Sequence, residues 1–355
     1  MKAKIITSDY SSNRQELYKL IPLDAPFNVH IEPSGLCNLR CNFCELTLSK
    51  EEMAKRKYHH YSMMSRQTMD IIVDQLQAFP QKIKTVSYFG CGEPVLNKDL
   101  PYLVGQLYEK RIAEKQFLST NGVLLTSEMS ESLISATEGG NNLTIKLSIN
   151  GFSNDSFKEI VGVEVDFKKY MEQLEYLYKI KRNARIIAKA VTTSFDVAGI
   201  SKEDFFNLFG DICDEIVVEN TLINNESVEY KGKAKKNIKI IPTDLPENVQ
   251  ICPVPFYKLF VENTGDVSVA GCSYCLEHKT FISNIREASL QEIWNSDFRK
   301  SFLRDLLLKQ YTGLALKCKD CVYRRTTGTI HDFLDPYAEE ILARLSWEKL
   351  ACARK

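Results

Sequence analysis

No excess charge of either sign marks this chain: 46 lysines and arginines balance 46 aspartates and glutamates. No global basic field therefore argues for nucleic acid as a partner. The opening residues, MKAKIITSDYSSNRQELYKL, lack the apolar core of a signal peptide, and no apolar run approaches a membrane span. Repeats and low-complexity tracts are also missing. What is present is core-forming material, 44% hydrophobic over 355 residues, enough for a barrel with a smaller domain beside it. Eleven cysteines are present as well. Without a secretion signal they read as metal ligands and free thiols, not as a disulfide framework, and the expected compartment is reducing cytoplasm.

From Phe27 to about Glu219, extended apolar runs alternate with amphipathic ones. Strands are predicted at 27–33, 84–89, 115–120, 143–149, 185–193 and 214–220, and helices over 66–79, 100–110, 127–136, 167–180 and 202–209. Strand then helix, six times, implies an α/β fold: a partial (β/α)6 TIM-like barrel with its helices outside, two units short of closure. The polar, lysine-rich stretch 222–250 reads as a linker, its lysines as a solvated face. The expected organisation is an N-terminal extension 1–24, the barrel 25–221, the linker, a small cysteine-bearing domain 251–328 and a helical tail 329–355.

The cysteines carry the chemistry. SGLCNLRCNFCE places Cys37, Cys41 and Cys44 on one loop directly after the first strand. Three thiolates so spaced can hold three irons of a 4Fe–4S cube and leave the fourth open to a small ligand. Zinc is the alternative, but its sites usually pair C-x2-4-C with a second pair or with histidines, and the next cysteine, Cys91, is far along the chain. GCGEP (90–94), TNG (120–122) and SING (148–151) follow the next three strands. Active sites of parallel barrels gather at the carboxyl ends of strands, so four independent segments converge on one mouth.

The cysteine loop resembles that of the radical S-adenosylmethionine (SAM) superfamily, in which the open iron is chelated by the amine and carboxylate of SAM. The resemblance implies that the backbone at Phe43 reads the adenine. It implies that Gly90, Gly92, Glu93 and Pro94 receive the SAM amino group, the glycines letting the main chain approach the ligand. It also implies that Ser148 and Asn150 touch ribose and carboxylate, and that Thr120 and Asn121 line the cleft. Lys189, on the fifth strand, is a further candidate contact to SAM or substrate. Cys91 is expected to be packed.

Beyond the linker lie Cys252, Cys272, Cys275, Cys318 and Cys321. YKLFVENTGDVSVAGC reads as a hairpin delivering Cys272, and FISNIREASLQEIWNSDFRKSFLRDLL as an amphipathic helix carrying Trp294. A zinc ribbon is the alternative for this domain taken alone. The segment resembles the shortened SPASM module, or twitch domain, which implies one auxiliary 4Fe–4S cluster on Cys252, Cys272, Cys318 and Cys321, with Cys275 spare or replacing Cys272. Two clusters and SAM are the implied cofactors, with flavodoxin or ferredoxin as reductant.

The resemblance implies reductive cleavage of SAM to a 5′-deoxyadenosyl radical that abstracts hydrogen from a substrate in the barrel. An auxiliary cluster that takes the second electron makes the outcome an oxidation. A thiol that returns hydrogen makes it an epimerisation, with Cys213 and Cys275 the candidate donors, although each alone is an ordinary structural cysteine. Only 36 residues precede Cys37, too few for the leader-binding domain of peptide-modifying relatives. The plan also resembles the aminocyclitol dehydrogenase of aminoglycoside biosynthesis. A carbohydrate, sugar-nucleotide or cyclitol substrate is therefore expected, with peptide maturation as the alternative and a zinc-binding structural protein as the non-enzymatic one. The loop KRKYHHY (55–61) is a candidate cover or phosphate contact, or a plain solvated surface.

Overall fold

The computed structural model describes residues 2–7, 14–48, 51, 61–221, 245–246, 248–268, 281–312, 318–319, 321, 324 and 328–345. Six parallel strands form the centre: β2 (Asn28–Ile31), β3 (Ile83–Tyr88), β4 (Ala113–Thr120), β5 (Leu143–Ser148), β6 (Arg185–Val191) and β7 (Glu215–Glu219). They lie side by side in chain order. Because the order never reverses, right-handed crossovers put every helix on one face, and the twisted sheet curls toward a barrel.

Alternation along the strands divides the sheet into two surfaces. Val29, Ile31, Val86, Tyr88, Leu118, Ile145, Leu147, Ile186, Ala188 and Ile216 join one apolar core with Met69, Ile72, Leu76, Leu103, Leu133, Leu174, Phe205 and Phe209 of the helices. The intervening residues face the inside of the barrel. Strand register sets His30 beside Ser87, Ser87 beside Phe117, Ser119 beside Lys146 and Ser148 beside Lys189. This inner surface mixes polar and charged side chains with apolar ones such as Phe117, Ile187 and Val217.

Helices occupy Arg66–Gln77, Leu100–Glu109, Ser127–Ser135, Phe167–Ile180 and Lys202–Phe209, matching the amphipathic runs. Two more helices between the barrel strands were not anticipated. Asn154–Val161 starts at a Ser153–Ser156 capping box and stops at left-handed Gly162. Thr192–Ala198 takes the last two residues of the predicted strand 185–193, despite the β-branched pair Thr192–Thr193. Side-chain propensity yields here to the turn required at the barrel rim.

Both edges of the barrel sheet are extended. The short β1 (Lys4–Ile5) pairs parallel with β7, and β8 (Lys258–Val261) pairs parallel with β2. β8 then turns antiparallel into β9 (Asp266–Ser268), which pairs with β10 (Phe281–Asn284). The auxiliary hairpin is thus continuous with the barrel. The run from Phe281 is a strand followed by two helices, Leu290–Asn295 and Asp297–Leu307, instead of one helix. Ser296 interrupts them with an extended backbone and caps the second.

A second apolar core joins Leu17, Ile21, Ile251, Phe256, Phe302, Leu306, Cys318, Leu334 and Ile341. Segments from both ends of the sequence meet there, Tyr18 stacking on Tyr337 at 3.5 Å and Arg14 pairing with Asp332 at 2.7 Å. No helix among the described residues is long and apolar enough to cross a membrane.

Candidate active site

The cysteine loop leaves β2 and is fastened from four directions. The Glu93 amide donates to the Leu36 carbonyl at 2.7 Å, and Asn97 Nδ2 donates to the Pro33 and Met64 carbonyls at 2.8 and 2.9 Å. The amides of Arg40 and Asn42 donate to the Val161 and Ile160 carbonyls, both at 2.8 Å, at the carboxyl end of the helix following β5. Asn121 Nδ2 donates to Asn38 Oδ1 at 2.9 Å. A short turn, Cys44 amide to Cys41 carbonyl at 2.9 Å, brings the last two cysteines together.

Cys41 is buried, while Cys37 and Cys44 are half-buried, and none is in a disulfide. Burial pushes the Cys37 thiol up to about 11 and raises those of Cys41 and Cys44. The neighbouring Cys44 and Cys37 push Cys41 further, whereas the Lys189 ammonium pulls it down. Asn150 Nδ2 reaches Cys41 Sγ at 3.7 Å. Phe43 packs, partly buried, against the core under the loop.

Glu93 is 3% exposed and both of its oxygens are engaged. Oε1 accepts from the Thr120 hydroxyl at 2.6 Å and the Val95 amide at 3.1 Å, and Oε2 accepts from the Asn121 amide at 2.8 Å. One carboxylate therefore welds the loop after β3 to the loop after β4. Burial nevertheless pushes its pKa up. Pro94 opens the short helical turn that Glu93 caps. Gly122 completes TNG with a φ of +78° that favours glycine. The two loop glycines also have a reason within the protein. A Cβ at Gly92 would stand 2.1 Å from the Ser34 carbonyl oxygen, and one at Gly90 would stand 2.2 Å from Glu32 Oε1. They permit a close approach of the loop to the start of the cysteine loop and to Glu32.

Lys146 and Glu219, the partners of the candidate Lys189, escaped the sequence reading, as did Glu32 and Glu262. Lys146 Nζ lies 3.0 Å from Glu219 Oε1, and Lys189 Nζ lies 3.7 Å from Glu219 Oε2. Burial pushes Glu219 up, but the two ammonium groups outweigh it and hold the carboxyl below its usual range. Ser148 and Lys189 are register partners, which places Ser148 beside this triad. At the opposite edge, Glu32 and Glu262 are buried at the ends of β2 and β8, pushed up by burial to about 7 and about 9. The signal for the triad lay in single charges within apolar strands, LTIKLS and EIVVE.

Cys213 is not placed to donate hydrogen at the mouth. It precedes β7, at the amino end of the strands, and its buried thiol donates to the Phe209 carbonyl at 3.2 Å. Burial pushes it up to about 12. Cys91 sits half-buried in its loop. Of the auxiliary cysteines, Cys252 and Cys321 are half-buried and Cys318 is buried. Cys272 and Cys275 lie outside the described residues, as do most of the loop 55–61 and most of the linker. The segment entering Cys252 is held firmly: the Gln250 and Ile251 amides donate to Asp335 at 3.0 and 3.1 Å, and Arg324 Nη1 donates to the Gln250 carbonyl at 3.1 Å.

Residues 31–208 match the Radical SAM superfamily, and residues 252–322 match an iron–sulfur cluster-binding domain, SPASM. The chain belongs to the radical SAM superfamily. Its fold is shared by Streptococcus suis SuiB bound to S-adenosylmethionine, at 18% identity over 90% of this chain and 76% of that one, with a TM-score of 0.59. It is shared too by anSMEcpe with bound AdoMet, at 16% identity over 91% and 98%, with a TM-score of 0.56. The FeMo cofactor biosynthesis protein NifB of Methanocaldococcus jannaschii is 27% identical over 133 residues, 38% of this chain and 43% of that protein. The chain thus spans less than half the length of that curated relative.

The cofactors of this radical SAM enzyme are 4Fe–4S clusters and SAM. The cysteine loop fits such a cluster chemically. Its three thiols are free of disulfides, and Cys44 and Cys37 raise the pKa of Cys41; among the described residues the side chains are not drawn into a closed metal-holding group, and cationic iron would relieve their buried thiolates.

Proposed function

We propose that this radical SAM enzyme carries out a two-electron oxidation of a carbohydrate, sugar-nucleotide or cyclitol substrate, converting a secondary alcohol to a ketone. Cys37, Cys41 and Cys44 hold the first cluster. Cys252, Cys318, Cys321 and either Cys272 or Cys275 hold an auxiliary one, in a domain spanning 251–328 after a barrel spanning 25–221. When bound, these groups supply a 5′-deoxyadenosyl radical from SAM and an acceptor for the substrate's second electron. The hydrogen atom of the carbinol carbon would go to the 5′-deoxyadenosyl radical, the hydroxyl proton to solvent and the remaining electron to the auxiliary cluster.

Around SAM, the backbone at Phe43, Gly90 and Gly92 and the side chains of Asn150 and Ser148 orient the ligand. Glu93, capped into place beside Pro94, keeps Thr120 and Asn121 at the cleft. The observation that carries the substrate reading is the charged group on the inner surface of the barrel, with Lys146, Glu219 and Lys189 interlocked on its wall. Such a wall suits a hydroxylated molecule, and two ammonium groups, each with three donors, suit one that bears a phosphate or carboxylate. Lys189, a member of that triad whose charge also acts on Cys41, would stand between cofactor and substrate. A flavodoxin or ferredoxin of the cytoplasm would supply the reducing electron.

The reaction branch is tested in heavy water with the anaerobically reconstituted enzyme. Oxidation predicts a ketone without carbon-bound solvent deuterium, and its loss in Cys318→Ala while 5′-deoxyadenosine still forms. Carbon-bound deuterium in the product, abolished by Cys275→Ala, would establish epimerisation instead.

A further inference from the structure

Glu32 leaves the carboxyl end of β2 and runs beneath the Gly90–Glu93 loop. It is 2% exposed, and its Oε1 accepts the Cys91 amide at 2.6 Å. A Cβ at Gly90 would meet that oxygen at 2.2 Å and Cγ at 2.5 Å, so the loop has closed directly onto this side chain. Burial pushes Glu32 up to about 7, while the amides of Cys91, Gly92 and Asn263 all favour its ionised form. Asn263 belongs to the turn between β8 and β9, in the auxiliary hairpin. One buried carboxyl therefore takes a hydrogen bond from the barrel loop and feels the amide of the auxiliary turn.

The same two parts meet again nearby. The Ser62 carbonyl accepts Asn263 Nδ2 at 2.6 Å and the Gly35 amide, at the start of the cysteine loop, at 2.9 Å. β8 supports the arrangement from below by pairing with β2 as far as Ile31 opposite Val261. A loop with two glycines has little side-chain packing to fix its backbone. Here the fixing is done by an acceptor from a neighbouring strand, and that acceptor is shared with the second domain.

We propose that Glu32 is a positioning residue: it sets the direction of the amides in the Gly90–Glu93 loop and ties them to the Asn263 turn. SAM affinity then depends on how the auxiliary hairpin is seated. This inference rests on the proposed contact between that loop and SAM.

Glu32→Gln keeps the side-chain volume but turns one acceptor into a donor aimed at amides. Asn263→Ala keeps the main-chain amide that faces Glu32 and removes the side-chain bond to Ser62 that seats the auxiliary turn. On reconstituted protein, equilibrium dialysis should show SAM binding about tenfold weaker in Glu32→Gln, at unchanged iron content. Asn263→Ala should also weaken it. The double variant should lose less than the product of the two losses, because both act through one junction. Amide exchange at Cys91, Gly92 and Asn263 should rise together in Glu32→Gln before SAM is added. Unchanged SAM affinity in an iron-replete Glu32→Gln protein would overturn the proposal, as would an Asn263→Ala protein that binds SAM like the wild type. The wild-type control separates the layers: if it fails to bind SAM, the reading of the loop falls and this inference with it.

Discussion

At the scale of single residues, Glu93 sets the terms. Its carboxylate gathers the Thr120 hydroxyl and the Asn121 and Val95 amides, so its removal leaves buried donors without their acceptor. Glu93→Ala should cost about 3 kcal/mol or more of stability. It should also weaken SAM binding, because TNG is no longer held at the cleft. Thermal unfolding with and without SAM checks both parts; an alanine variant as stable as the wild type would remove the clamp from the account. The motif itself was legible, since glycine and proline announce a turn. Its partners were not. Thr120 lies on another strand and Glu32 precedes the cysteine loop, and nothing in a linear sequence states which loops pack together. Lys146 and Glu219 were visible only as charges inside apolar runs, and their pairing had to await strand register.

At the scale of elements, the six central strands and five of the helices were legible because each carries its own periodicity. Two of the features that were missed, one element and one strand pairing, depend on distant contacts. Thr192–Ala198 is helical against its β-branched sequence, and β8 joins β2 although a whole barrel lies between them in the chain. The pinning of the Cys252 segment is equally non-local. Asp335 accepts the Gln250 and Ile251 amides from the far side of the second core. Asp335→Ala should therefore release that segment and lower retention of the auxiliary cluster. Iron per chain after dialysis against a chelator should fall toward half of the wild-type value, with the 5′-deoxyadenosine activity of the first cluster preserved. Full retention of iron would show that Cys252 is held by other means.

At the scale of the whole molecule, a barrel with an apolar outer seam and a mixed polar and apolar interior opens at the strand ends that carry the cysteine loop, the Gly90–Glu93 loop and the TNG turn. The auxiliary domain is attached through a continuous sheet, and Arg299 braces it internally: its buried guanidinium lies 3.4 Å from the centre of the Trp294 ring and donates to the Pro255 carbonyl at 2.6 Å. Gln75 ties the barrel helix to this domain, donating to the Ile285 carbonyl at 2.7 Å and accepting the Leu290 amide at 3.0 Å. Such a junction suits two redox centres that must keep a fixed relation to one substrate. The central claim is that the Cys37–Cys44 loop holds the cluster that opens SAM. Iron and 5′-deoxyadenosine, measured together on the anaerobically reconstituted protein with Cys37, Cys41 and Cys44 all changed to alanine, test it most directly. The account predicts about four irons per chain in place of about eight, and no 5′-deoxyadenosine. Continued formation of 5′-deoxyadenosine by that variant would contradict it.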